Sequence, residues 1–291
     1  MFSKHVTHMR KVNNRERPPI LYKYRAINER TRILLSNREL YFPSISEIND
    51  PFDCRVLLNR NANPRKLWTW LQEKLAAQYR TNDPVELVFR WLSNSKVLGS
   101  SFTKAMAIDF IKMKQWKKLD SNNPISYSKI LHARKANVRM FCLSSVNDDI
   151  LMWSHYAQNH HGICLGFDIN SNPVFEKTAQ VRYAKKYPQA DYYRATDEQY
   201  YEFSLLTKSD HWKYEKEWRL VLTNTAGLKN PVHHFKPSFL KELILGCQTT
   251  DSEKATIIGW LSLGGLKPEL YEAIRSEREY RVKIVPFGKA L

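Results

Sequence analysis

Between Val138 and Val285 the chain carries six short β-type runs: Val138–Leu143, Gly162–Phe167, Gln180–Tyr183, Trp218–Leu222, Glu242–Leu245 and Val282–Val285. Helical segments at about Asp149–Ala157, Asp197–Lys208 and Asp251–Leu261 separate some of them. This irregular alternation argues against a βαβ array and predicts an α+β fold on a small mixed or antiparallel sheet. Upstream, Leu21–Arg25 and Glu39–Phe42 read as further short strands, and Asn28 is placed to cap a helix reaching about Leu35.

Residues 60–136 follow a different pattern. Pro64–Arg80 sets Leu67, Trp68, Leu71, Leu75 and Ala76 at helical spacing, and Pro84–Trp91, Thr103–Trp116 and Ser126–Ala136 continue as helices. This block reads as a helical insertion within a single α+β domain over 19–291, preceded by a basic flexible arm at 1–18.

An apolar share of 43% in 291 residues supports a sizeable core. Lys and Arg number 46 against 29 Asp and Glu, a net charge of +17 with a pI near 9.6. Such an excess suits a polyanion: nucleic acid, an acidic protein surface or a phosphate-bearing ligand. Eight Trp and fifteen Tyr suit a deep pocket or stacking surface as well as a core. Cys54, Cys142, Cys164 and Cys247 form no CxxC pair, and the last three sit in or beside apolar runs. No disulfide framework or metal site is expected, and a reducing cytoplasm fits. No run approaches 18 apolar residues and the N-terminus lacks an apolar h-region, so neither a membrane span nor a signal peptide is expected. Nine Gly include neither a P-loop nor a Rossmann fingerprint.

Two polar-aromatic clusters carry the chemistry. In Tyr214-Glu215-Lys216-Glu217-Trp218-Arg219, strand alternation puts Glu215, Glu217 and Arg219 on one side and Tyr214, Lys216 and Trp218 on the other. A Glu at a strand mouth can hold a ribose hydroxyl or stabilise oxocarbenium-like charge, while a solvent-exposed Glu/Arg ladder fits the same spacing. In the second cluster, Asp148-Asp149 marks a helix start, Met152 and Tyr156 share one face, and Leu151 and His155 share another. His155 can act as an acid/base or ligand-binding group, or be a satisfied structural histidine beside the core aromatics Trp153 and Tyr156. His160-His161 lacks further metal ligands at useful spacing, and Gly162 allows tight strand entry or a close ligand approach. Asn49-Asp50-Pro51-Phe52-Asp53 reads as a turn, or as a loop that aims Asp50 or Asp53 into a pocket. Tyr22 and Tyr24 share one strand face, with Lys23 and Arg25 on the other, where Arg25 can grip a phosphate or lie on the surface.

These clusters, in this order, resemble the bacterial family called domain of unknown function 2971. The resemblance is carried by Leu21–Arg25, Asn49–Asp53, Met152–Tyr156 with His161-Gly162, and Trp212–Arg219, and it frames residues 21–222. More distantly the layout is similar to ADP-ribosyltransferase-like domains, which set a basic or His residue on an early strand, Tyr or Ser in the middle and Glu on a later strand. That resemblance implies a split sheet and NAD as substrate. It implies that Arg25 holds the dinucleotide phosphates or ribose, that Ser154 or Tyr156 holds the nicotinamide half, and that Glu217 or Glu215 orients the ribose and stabilises positive charge. Tyr24, Trp153 and Arg219 complete the expected cofactor-binding set, and His155 joins the expected catalytic set. The early motif here is Tyr-Arg rather than His, and the middle motif is helical rather than strand-borne. The leading expectation is therefore transfer of ADP-ribose to a nucleic-acid or protein acceptor, in phage defence or as a toxin. Alternatives are a non-catalytic nucleic-acid-binding or host-defence protein, and a metal-independent nuclease using His155 with a carboxylate.

Overall fold

The structure is a computed structural model that describes residues 17–59, 64–94, 103–112, 138–191, 197–222 and 232–288. In chain order its first elements are β1 (Ile20–Arg25), α1 (Glu29–Asn37), β2 (Glu39–Tyr41), β3 (Leu57–Asn59), α2 (Pro64–Tyr79), α3 (Pro84–Ser93) and α4 (Lys104–Lys112). Next come β4 (Arg139–Ser144), α5 (Ile150–Tyr156), β5 (Ile163–Asp168), β6 (Ala179–Gln180), β7 (Arg182–Ala184) and β8 (Gln189–Asp191). The remainder are α6 (Asp197–Leu205), β9 (Thr207–Ser209), β10 (Glu217–Leu222), β11 (Val232–His234), β12 (Leu240–Leu245), α7 (Asp251–Leu263), β13 (Glu269–Arg275) and β14 (Val282–Pro286). The fold is α+β, as the irregular alternation of strands and helices requires.

Two compact units are present. The first comprises Met1–Arg55, Lys135–Pro188 and Tyr201–Leu291. Its frame is an eight-stranded sheet in the order β14-β13-β12-β5-β1-β4-β10-β6, mixed because β12 and β13 run parallel while the other pairs are antiparallel. Period-two alternation sorts the side chains. Leu21, Ile163, Leu165, Phe167, Leu220 and Leu243 enter one core, against Leu34 and Leu35 of α1 and Ile257 and Leu261 of α7. On the opposite face Tyr24, Cys164 and Ile244 pack against Met152, Trp153 and Ala157. Asn28 caps α1 by accepting from the Thr31 amide at 3.1 Å, as its position in the sequence predicts. Asp149 caps α5 by accepting from the Leu151 and Met152 amides at 2.9 and 3.0 Å. A reciprocal Thr250–Glu253 box starts α7.

The sheet has one weak seam. Tyr22 and Ser144 are the sole register pair between β1 and β4, whereas β1 pairs with β5 over its whole length and β4 pairs with β10 over its whole length. Lys23 lies in this seam, with Nζ donating to the Cys142 carbonyl at 2.8 Å and 4.4 Å from the centre of the Phe141 ring.

The second unit comprises Val56–Arg134 and Gln189–Tyr200. It holds α2, α3 and α4 of the expected helical block, together with the parallel pair β3 and β8. Val88 and Ala107 pack with Phe89 and Ile111, and Leu75 packs with Leu87. Glu86 takes ion pairs from both Arg90 and Lys104, at 2.7 Å each.

Most expected strands are present within a residue or two, but Gln180–Tyr183 is divided between β6 and β7. The expected helix at Ser126–Ala136 and the arm up to residue 16 lie outside the described residues. Arg17 is tied down, donating to Asn170 Oδ1 at 2.9 Å and to the Phe175 carbonyl at 3.3 Å. Among the described residues no helix is long and apolar enough to cross a membrane.

Candidate functional site

The site is built where α5 meets the 3-10 turn Asp210–Glu215. In α5 the four-residue spacing brings Met152 and Tyr156 inward, while Leu151 and His155 are exposed. The turn closes at Lys216, whose φ of 43° is left-handed and redirects the chain into β10. Glu215 therefore faces inward with Glu217 because of the turn rather than strand alternation. Tyr214 does not join Trp218 on the other face, contrary to the expected alternation, and packs against α5 instead.

Two hydrogen bonds on consecutive residues clasp the elements together. Tyr156 Oη donates to Glu215 Oε1 at 2.7 Å on the inside, and His155 Nδ1 lies 2.9 Å from Tyr214 Oη on the outside. The inner clasp borders a cavity of about 130 Å³, which Tyr22, Tyr24, Ser144, Lys208 and Glu217 also line. It lies on the side of the sheet where β1 and β4 part.

Beneath it runs a buried ionic network. Lys208 Nζ donates to Glu215 Oε2 at 2.5 Å and to Glu217 Oε2 at 3.2 Å. Arg219 donates to Glu217 through Nε at 2.8 Å and Nη2 at 2.9 Å. It also reaches Asp53 Oδ1 at 3.1 Å, Asp53 Oδ2 at 2.5 Å and the Leu205 carbonyl at 2.8 Å. A guanidinium has five N–H groups, and each of these has an oxygen partner here. The Glu217 amide donates to Tyr183 Oη at 2.7 Å.

The two glutamates are held in opposite directions. Burial and the neighbouring Glu217 charge push the Glu215 carboxyl above its ordinary value, against the pull of Lys208 and Tyr156. Burial opposes ionisation of Glu217 too, but Arg219 and Lys208 outweigh it and hold that carboxyl below the usual range. Burial lowers the Lys23 ammonium to about 8.

The residues expected from the sequence divide cleanly. Tyr24, Tyr156, Glu215, Glu217 and Arg219 line the cavity. Arg25, Trp153, Ser154 and His155 do not. Arg25 Nε donates to Thr31 Oγ1 at 3.3 Å, and Trp153 is fully buried with Nε1 donating to the Asn147 carbonyl at 2.8 Å. Arg219 is no cofactor grip, since no donor of it is left over. The exposed Glu/Arg ladder is likewise absent: Glu215, Glu217 and Arg219 are buried. The Asn49–Asp53 segment is both turn and site, because Phe52 N donates to Asp50 Oδ1 at 2.8 Å while Asp53 is buried on Arg219.

Lys208 and Asp53 complete the network, and charge balance was the signal for the first. Two buried glutamates beside one arginine need another cation, and Lys208 stands nine residues before Glu217. Among the described residues no group of three or more His, Cys, Asp or Glu is arranged to hold a metal ion.

Residues 152–220 match the model of a family described as "Protein of unknown function (DUF2971)". Over that segment the chain resembles this family. The match contains Met152–Tyr156 of α5, Lys208, Glu215, Glu217 and Arg219, whereas Leu21–Arg25 and Asn49–Asp53 lie outside it. No curated protein matches the chain, and no solved structure matches it.

Proposed function

We propose that the protein is an ADP-ribosyltransferase-type enzyme that cleaves the nicotinamide–ribose bond of NAD, with Glu215 as the reacting carboxylate. The observation that carries this reading is the position of Glu215: buried on the cavity, bonded to Tyr156 and Lys208, and less tightly neutralised than Glu217. A carboxylate in such surroundings can face positive charge as it develops on a ribose carbon. A cavity of about 130 Å³ is close to the about 150 Å³ that accommodates benzene, so it suits one flat ring such as nicotinamide. Tyr22, Tyr24 and Tyr156 offer ring faces and edges to it.

In the proposed step the glycosidic C–N bond breaks and its electron pair leaves with nicotinamide, which departs neutral. The ribose C1′ then bonds to an acceptor oxygen or nitrogen, whose proton passes to Glu215. Tyr156 and Lys208 hold the carboxylate in place, and Arg219 anchors the neighbouring Glu217 out of the reaction.

The test is nicotinamide release from NAD, with label transfer to nucleic-acid and protein acceptors, by wild type and Glu215→Gln. Release and transfer by wild type, lost in a folded Glu215→Gln, support the reading. No release, no transfer and no NAD binding by wild type overturn it.

A further inference from the structure

Outside the cavity, on the solvent side of the clasps, three rings stand together. Ring centres are 6.0 Å apart for His155 and Tyr214, 6.1 Å for Trp212 and Tyr214, and 6.4 Å for His155 and Trp212. His155 is exposed and the other two are half-buried. The 2.9 Å His155–Tyr214 contact fixes two of these rings, and Lys208 Nζ lies 4.9 Å from the Trp212 ring centre on the inner side. A rigid aromatic group in water, one residue from the reacting carboxylate, has a hydration cost that a flat partner would relieve.

The charges around it are of both signs, with lysines among the exposed ones. Lys213 and Lys216 flank the rings in sequence, are exposed, and form no ion pair among the described residues. The His211 side chain is 89% exposed, 3.5 Å from Asp210. The nearby Asp149 is committed to capping α5.

We propose that Trp212, braced edge-on by His155 and at a tilt by Tyr214, offers its ring as a stacking platform for an unpaired nucleobase, so that the acceptor is a single-stranded nucleic acid. Every base has a π-face to lay on such rings, whereas bases inside a duplex are already stacked on each other. Lys213 and Lys216 take the flanking phosphates, in keeping with a chain of net charge +17. Calling the bound strand an acceptor rests on the transferase reading above; the binding does not.

The experiment is fluorescence anisotropy of labelled DNA and RNA oligonucleotides, single-stranded and duplex, with the full chain and no NAD. Single strands are expected to bind more tightly than the duplex. Trp212→Ala weakens single-strand binding by about tenfold or more, and Trp212→Phe restores most of it. A combined Lys213→Ala and Lys216→Ala variant flattens the salt dependence. Equal affinity of wild type and Trp212→Ala, or of duplex and single strand, overturns the platform. So does an acidic peptide that displaces the oligonucleotide at similar concentration, which marks a protein surface as the occupant. Trp212-dependent binding without any NAD cleavage leaves the platform standing and removes the transferase reading alone.

Discussion

Glu215 and Glu217 share one ammonium, that of Lys208, yet burial drives the first carboxyl up while Arg219 and Lys208 hold the second down. Asp53, Glu215 and Glu217 together face Lys208 and Arg219, three carboxyls to two cations. Glu215 is the least compensated of the three carboxyls because it alone lacks the arginine. Tyr156 supplies the remaining stabilisation of its charge. Tyr156→Phe should therefore raise the Glu215 carboxyl further and move the acid limb of nicotinamide release to higher pH. Tyr214→Phe, which loses only the outer clasp, should leave that limb in place. Carboxyl titration by NMR reads the same shift directly, and an unmoved Tyr156→Phe curve would show the inner clasp to be irrelevant to Glu215.

Arg219 is the keystone of the buried charges. Arg219→Met should cost about 3–5 kcal/mol, because Asp53 would stay buried without its ion-pair partner and Glu217 would keep Lys208 alone. Denaturant unfolding measures this, and a loss below about 1 kcal/mol, the range of exposed pairs, would contradict the burial of these charges.

Two glycines should respond oppositely to alanine. A Cβ on Gly162 would stand 2.2 Å from the Arg25 carbonyl oxygen and 2.8 Å from that of Ala157, both backbone atoms that cannot swing aside. Gly162→Ala should destabilise by about 1–3 kcal/mol or more. On α7, a Cβ added at Gly259 would meet nothing within 4 Å beyond its own helix backbone and chain neighbours, so Gly259→Ala should stabilise by about 0.5–1 kcal/mol. Thermal unfolding of the pair tests both signs.

Lys23 predicts a pH dependence. Its ammonium loses its proton near pH 8 in the folded chain, against an ordinary value of 10.5. Between those values the unfolded chain binds more protons, so stability rises with pH across that window. The penalty of burying the charge is full below pH 8 and is relieved toward 10.5. Wild type should gain on Lys23→Met over this range when denaturant midpoints are compared. Parallel curves would mean that the amine is not depressed.

The strands that carry the site were legible because their apolar residues alternate. Ile163, Leu165 and Phe167 mark β5, and Leu220 and Leu222 mark β10. β13 was hidden, since Leu270, Ala273 and Ile274 lie three and four residues apart and imitate a helix. The inward aim of Glu215 was expected from strand alternation but arises from a turn ending at a left-handed Lys216, which side-chain periodicity does not encode. Asp53 was legible as one of two options in a turn. Its choice over Asp50 depends on Arg219, 166 positions away.

With Tyr22–Ser144 as their one register pair, β1 and β4 divide the eight-stranded sheet into two leaves, welded there and by side-chain bonds from Lys23 to the Cys142 carbonyl and from Tyr24 to the Val146 carbonyl. The leaf of β14, β13, β12, β5 and β1 keeps its own hydrogen bonds if the weld breaks, and so does the leaf of β4, β10 and β6. The fold thus has a crease in it. Tyr22 and Tyr24 belong to one leaf and Glu217 to the other, so a flexing along the crease would widen or narrow the cavity without unravelling a strand.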